Sequence, residues 1–221
     1  MTATESTVLE ATFTAPVASF RNPLYAGVQV TLPCPPPATV GGMLAGAAGG
    51  WDAVDPGLRF AMAFRSGGKN TDYETYHPLD ATGKKASPTP RHREFLAAAV
   101  LTVWLSDDTE TWWRRLRRPV WPLRLGRSQD LVGLSLRMVT LTSEPGALRS
   151  AIVPDETGLL GGTPLRLPTA ISPRRDRTTW NTYRYDSSGL SQTLVLGSRS
   201  TEEGQAVALL PVCHPDAVAW R

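Results

Sequence analysis

Leu9, Ala11, Phe13 and Ala15 alternate with Glu10, Thr12 and Thr14, so residues 8–15 predict a strand with one buried face. A loop follows and ends in the run Pro35-Pro36-Pro37. Thr39 is placed as an N-cap, and Val40, Met43, Leu44 and Ala47 then recur at helical spacing up to Gly49-Gly50. Gly41, Gly42 and Gly46 each cost about 1 kcal/mol of helix propensity against alanine, which suits a helix lying close against a sheet. Residues 58–64 predict a second strand. Residues 66–92 form a long polar stretch with little periodicity, the kind of segment that is functional or disordered inside a compact domain. Phe95 to Leu105 is apolar on both faces and ends in Val, Trp and Leu, as a central strand does, although Ala97, Ala98 and Ala99 leave a helix open. Asp107-Asp108 can cap a short helix carrying Trp112, Trp113 and Leu116, which Pro119 ends. Val132, Leu134, Leu136 and Met138 share one face of a last alternating segment, 131–141.

The resulting order, β-α-β-β-α-β, predicts an α+β, ferredoxin-like (RRM-like) domain over residues 1–142, the plan shared with RNA-recognition folds. Beyond Ser143, short apolar stretches alternate with turns, which predicts a small C-terminal all-β appendage over 143–221.

Composition adds little to this picture, but charge distribution does. Hydrophobic residues at 41% and charged residues at 19% are those of an ordinary globular protein. The net charge is only +3, yet residues 59–137 hold fourteen basic and eight acidic residues, whereas residues 143–221 hold eight of each. A basic middle suits a polyanion, and nucleic acid is the commonest one. The bland alternative is a genome-driven bias, since twenty of the 23 basic residues are arginine. Cys34 and Cys213 are far apart and outside any CxxC pair, which argues against a disulfide scaffold or zinc site; neither metal nor cofactor is expected. With no signal-peptide pattern at the start and no apolar run near the roughly 20 residues that span a bilayer, a cytoplasmic protein without membrane contact is expected.

Four short pieces narrow the field: Phe20-Arg21 after the first strand, the PPPATVGG run from Pro35 to Gly42, Arg93-Glu94-Phe95-Leu96 opening the central strand, and Leu125-Gly126-Arg127-Ser128 before the last. In this order and register they resemble the Cas-five family of CRISPR-associated proteins, the RAMP-type subunits of type I (Cascade) complexes. The resemblance runs over residues 8–142 and fades beyond. It implies a subunit that binds the 5′ handle of the CRISPR guide RNA, caps the helical backbone of neighbouring subunits, contacts the large subunit, and meets target DNA through the complex. It also implies that the polar stretch is a β-hairpin thumb, over about 67–92, packed across the RNA.

On that reading Arg21 and Arg127 grip phosphate, Gly126 lets backbone approach it, and Ser128 offers a hydroxyl, with Phe20 beside Arg21. A surface arginine and a tight turn are the plainer alternatives. In the thumb, Lys69, Tyr76, His77, Lys84, Lys85, Arg91 and Arg93 mix cations with a ring able to stack on an unpaired base, a mixture that binds single strands. The arginines flanking Leu116 read either as a solvated helix face or as a surface for a protein or target DNA. Arg174, Arg175 and Arg177 form a second basic loop of equally open meaning.

No catalytic residue is expected. One relative in the family cuts precursor RNA without metal, and His77, His92 and Tyr76 with Lys84 or Lys85 are the residues here that such chemistry would use. The adjacent lysine–histidine pair of that enzyme is absent from the sequence. Metal-independent processing, or a general single-stranded RNA-binding module, are the alternatives.

Overall fold

The computed structural model describes residues 6–25, 29–77, 87–155 and 161–218. Its first part runs β1 (Ser6–Ala18), α1 (Pro37–Ala48), β2 (Ala61–Arg65), β3 (Gly68–Tyr76), β4 (Thr89–Leu105), α2 (Thr109–Arg117) and β5 (Gly133–Leu141). Strands β5, β1, β4 and β2 lie side by side in that order, with every neighbour antiparallel. That is the ferredoxin-like arrangement the sequence order predicts, with β3 added as a hairpin on β4.

Alternation along β1 becomes the two-sidedness of the sheet. Leu9, Ala11 and Phe13 join Val40 and Leu44 of α1 and Trp112 and Leu116 of α2 in the main core. On the opposite face Val8, Ala61, Ala63, Trp104 and Leu141 form a smaller cluster. Glu10 also points to that second face, buried, where it accepts from Trp104 Nε1 at 2.9 Å and pairs with Arg137 Nε at 2.6 Å. Both carboxylate oxygens are thus satisfied, which is the condition for burying the charge.

The chain after Ser143 continues the same sheet. Strands β6 (Ala151–Pro154), β7 (Thr163–Ile171) and β8 (Thr178–Tyr185) extend it in the order β2-β6-β8-β7. Ile152, Leu167, Tyr183 and Tyr185 belong to the main core, and Tyr185 Oη donates to Phe64 O at 3.0 Å. The boundary expected at residue 142 therefore has strands of one sheet on both sides. A two-stranded pair, β9 (Arg199–Ser200) with β10 (Ala206–Val207), lays Val207 over the second face.

Helix α1 begins two residues before the expected Thr39 cap. Pro36 is its N-cap, with Pro37 at the first helical position, where a missing N–H is no loss. Gly49, at φ 100°, ends it, with the Gly50 N–H returning to Ala45 O at 2.8 Å. Of the helix glycines only Gly41 serves a close contact, and it is with Cys213 rather than with a sheet. A Cβ on Gly41 would lie 2.4 Å from Cys213 Sγ, whereas Gly42 and Gly46 face open space. Burial holds both cysteines as neutral thiols, Cys213 with its pKa pushed up to about 12.

Strand β4 is a strand throughout and starts earlier than expected. Its second half lies between β1 and β2, while Thr89–Ala97 pairs with β3. The change of partner falls at Ala98, which has φ 47° and sits across from Pro16 of β1 between the pairs Ala15–Ala99 and Val17–Ala97. Proline gives β4 no N–H there, and the local irregularity marks where β4 exchanges β2 for β3 as a neighbour. No helix of the described residues is long and apolar enough to cross a membrane.

Candidate nucleic-acid interface

The base of the β3–β4 hairpin is an ionic lattice. Arg93 forks onto Asp72, Nε to Oδ1 at 2.9 Å and Nη2 to Oδ2 at 2.5 Å, and reaches Glu74 through Nη1 at 3.3 Å. Gln29 donates to the other Glu74 oxygen at 3.0 Å. The Arg93 hydrogen bonds hold the Asp72 carboxyl below its ordinary range. Lys69 pairs with Glu94 at 2.8 Å, and Glu94 also accepts from the Thr31 N–H at 3.0 Å. Burial pushes the Glu94 carboxyl up, but Lys69 and the Thr31 N–H outweigh it and leave the pKa lowered. Ser19 Oγ donates to Glu94 O at 2.8 Å, tying the end of β1 to the hairpin.

The loop before β5 docks on the same place. Gly126 has φ 103°, and a Cβ there would stand 2.4 Å from Ser19 O. Only a residue without a side chain can make that approach. Arg127 then turns back onto Asp130: Nε to Oδ2 at 2.8 Å, Nη2 to Oδ1 at 2.9 Å, and its own N–H to Oδ2 at 3.2 Å. Asp130 is buried, and Nη1 of Arg127 is buried without a hydrogen-bond partner among the described residues.

Between α1, this loop and the β7–β8 turn lies a cleft of about 840 Å³. Its floor on one side is bare helix at Gly42 and Gly46, where nothing lies within 4 Å of a Cβ position. Arg124, Arg127 and Ser128 line the second wall and Arg175 the third. Arg124, Ser128 and Arg175 are exposed. Ser172 Oγ donates to Asp176 at 2.6 Å and fixes the turn that carries Arg175. The cleft thus places a helix surface bare of side chains opposite exposed guanidinium groups.

The residues singled out by sequence therefore divide. Phe20 is corrected to a core residue: it is 3% exposed and packs edge-on against Phe64 at 5.7 Å, because an aromatic at the strand end is worth more inside than in a loop. Arg93 and Arg127 are engaged by carboxylates, and Lys69 is half engaged by Glu94. Arg21, His77 and Arg91 are exposed; Ser128 is exposed in the cleft, and Gly126 shapes it. Tyr76 ends β3, its side chain outside the described residues, as are Lys84 and Lys85. His92 lies across the hairpin from Tyr73, ring centroids 4.5 Å apart. Arg124 escaped the sequence reading, having no motif around it beyond the adjacent Leu125-Gly126-Arg127-Ser128.

A family model described as "CRISPR-associated protein (Cas_Cas5)" matches residues 8–189. The chain belongs to this family. The match spans all four motif pieces and ends before the β9–β10 pair. No curated protein matches the sequence. Among solved structures, a chain of a "CRISPR RNA-guided surveillance complex" is similar at TM-score 0.56 and 18% identity, covering 90% of this chain and 93% of that one. A chain of a Type III-B Cmr-beta complex, bound to cognate target RNA and AMPPnP, is similar at 0.52 and 10% identity, covering 84% and 85%. A CRISPR protein from Archaeoglobus fulgidus is similar at 0.48 and 14% identity, covering 93% and 99%. At these identities the likeness is one of fold.

Proposed function

We propose that the chain is a noncatalytic subunit of a type I CRISPR effector complex that holds the 5′ handle of the guide RNA and caps the backbone of neighbouring subunits. One observation carries this reading: the family motifs, scattered over the sequence, meet at the hairpin base and the adjoining cleft. Gly42 of the PPPATVGG run supplies part of the glycine floor, Gly126, Arg127 and Ser128 a wall, and Arg93-Glu94 with Phe20 and its neighbour Ser19 the support beneath. Carboxylates hold Arg93 and Arg127, which leaves Arg124 and Arg175 as the exposed guanidinium groups among the described residues lining the cleft.

A general RNA-recognition module is less well supported. The sheet face on which such modules stack bases here carries Glu10, Thr12 and Thr102, and Val207 covers part of it.

Arg124→Ala and Arg175→Ala are expected to weaken RNA binding whatever the base sequence. Each should reduce the salt-dependence slope by about 0.7 and leave thermal stability unchanged. Titration at several salt concentrations checks this; unaltered slopes in both variants would remove the cleft from the RNA path.

For catalysis the expected result is an absence. His77→Ala and His92→Ala should leave guide length unchanged when the complex is purified and its RNA sequenced. Contrary behaviour would be shortening of a repeat RNA by the chain alone, in EDTA, to a 2′,3′-cyclic phosphate product that either substitution abolishes. A histidine acting as general acid or base contributes about 10²–10⁴-fold, so the assay cannot miss one.

A further inference from the structure

Strand β5 borders the sheet, with β1 as its sole strand partner among the described residues, so the outer edge of Gly133–Leu141 presents open N–H and C=O groups. Such edges are ordinarily blunted by proline, by charge or by a covering element. This one has no proline, and its single charged residue, Arg137, is turned onto the buried Glu10. Alongside the edge, between α2 and β5, runs an apolar groove of about 450 Å³ walled by Trp113, Leu116, Pro119, Leu123, Leu134 and Leu136. The apolar surface continues past it: Val120 and Trp121 are each 61% exposed and Leu131 57%. Arg117 stands at the rim beside the exposed Arg118, and neither forms an ion pair among the described residues.

We infer that the β5 edge and the α2–β5 groove are a docking site for an extended segment of a partner protein, with alternate apolar side chains and acidic residues at one end. The three features select this occupant together. An open ladder is matched by another peptide backbone, which adds a strand to the sheet. The groove takes every second side chain of that strand, since alternate residues point to one face. Arg117 and Arg118 choose carboxylates for the flank. A nucleic acid satisfies the arginines alone and leaves both the strand edge and the leucine wall unanswered. The inference goes beyond the guide-RNA reading and does not depend on it: Leu123 borders both the groove and the cleft, but the strand edge, Trp113, Leu116, Leu134 and Leu136 lie outside the cleft.

The test uses the full chain in its native complex. A photo-crosslinking amino acid replaces Trp121 or Leu131, and the adduct is digested with nuclease and sequenced by mass spectrometry. The expected adduct survives nuclease and joins a partner peptide of alternating apolar and acidic residues. In parallel, the double substitution Arg117→Glu/Arg118→Glu should lower recovery of that partner by about tenfold or more, while the chain still melts cooperatively, at a modestly lower temperature because the new charges oppose the α2 dipole. Lysine in place of the partner's acidic residues should restore it. A nuclease-sensitive adduct, an adduct to a second copy of this chain, or unchanged recovery with the double substitution would each overturn the proposal.

Discussion

Arg127→Ala is expected to cost about 3 kcal/mol of folding stability, the low end of the range for breaking a buried ion pair, because Arg127 itself keeps some solvent access. The loss comes from the partner. Asp130 is buried, takes two side-chain hydrogen bonds from Arg127, and keeps only the 3.2 Å bond from the Arg127 N–H once the guanidinium is gone. Urea denaturation measures the change. The companion variant Arg127→Leu/Asp130→Leu removes both charges and should recover much of the loss, since replacing a buried pair by apolar residues is often neutral. If Arg127→Ala alone proves neutral, the loop does not depend on this pair. With the expected destabilisation, RNA affinity falls in Arg127→Ala through loss of the loop's structure, whereas Arg124→Ala loses affinity with the fold intact.

Gly126→Ala should lower Tm by several degrees, on the order of 10 °C. A residue with a side chain at φ 103° costs about 1–3 kcal/mol, and the new Cβ would overlap Ser19 O at 2.4 Å, so β1 or the loop must also shift. Gly42→Ala makes the informative contrast. Nothing lies within 4 Å of its Cβ position, and alanine in a helix interior gains about 1 kcal/mol over glycine, so this variant should be more stable than the parent. It should nevertheless bind RNA less tightly, because the methyl occupies the cleft floor. Calorimetry beside RNA titration separates the two: Gly126 as a glycine of the fold, Gly42 as a glycine of the site. Equal stability in all three proteins would contradict both the close approach at Gly126 and the helical gain at Gly42.

The fold and the cleft also show what a sequence reveals and what it withholds. The alternation in β1 and the apolar run of β4 are period signals tied directly to burial, so the strands, their order and the ferredoxin-like plan were legible. Pairing was not: β6, β8 and β7 join the sheet through β2, a placement that local pattern cannot distinguish from a separate sheet. The start of α1 was misplaced because Thr39 carries the capping side chain, while the proline run supplies a start that needs no cap. At the site, motif residues identified the neighbourhood but not the roles. Arg93 and Arg127 look like phosphate ligands until Asp72, across the hairpin, and Asp130, three residues on, close on them in space. Arg124 and Arg175 gain their place only from the cleft that three separate elements form.

The most direct test of the central claim is to crosslink the guide RNA in place. The complex is purified through a tag on this chain, with 4-thiouridine in the RNA, and the adducted peptides and nucleotides are sequenced together. The account predicts adducts joining the repeat-derived 5′ end to peptides holding Arg124–Ser128 and Ser172–Arg177. Adducts confined to the spacer, or a complex carrying no RNA with a repeat-derived 5′ end, would contradict it.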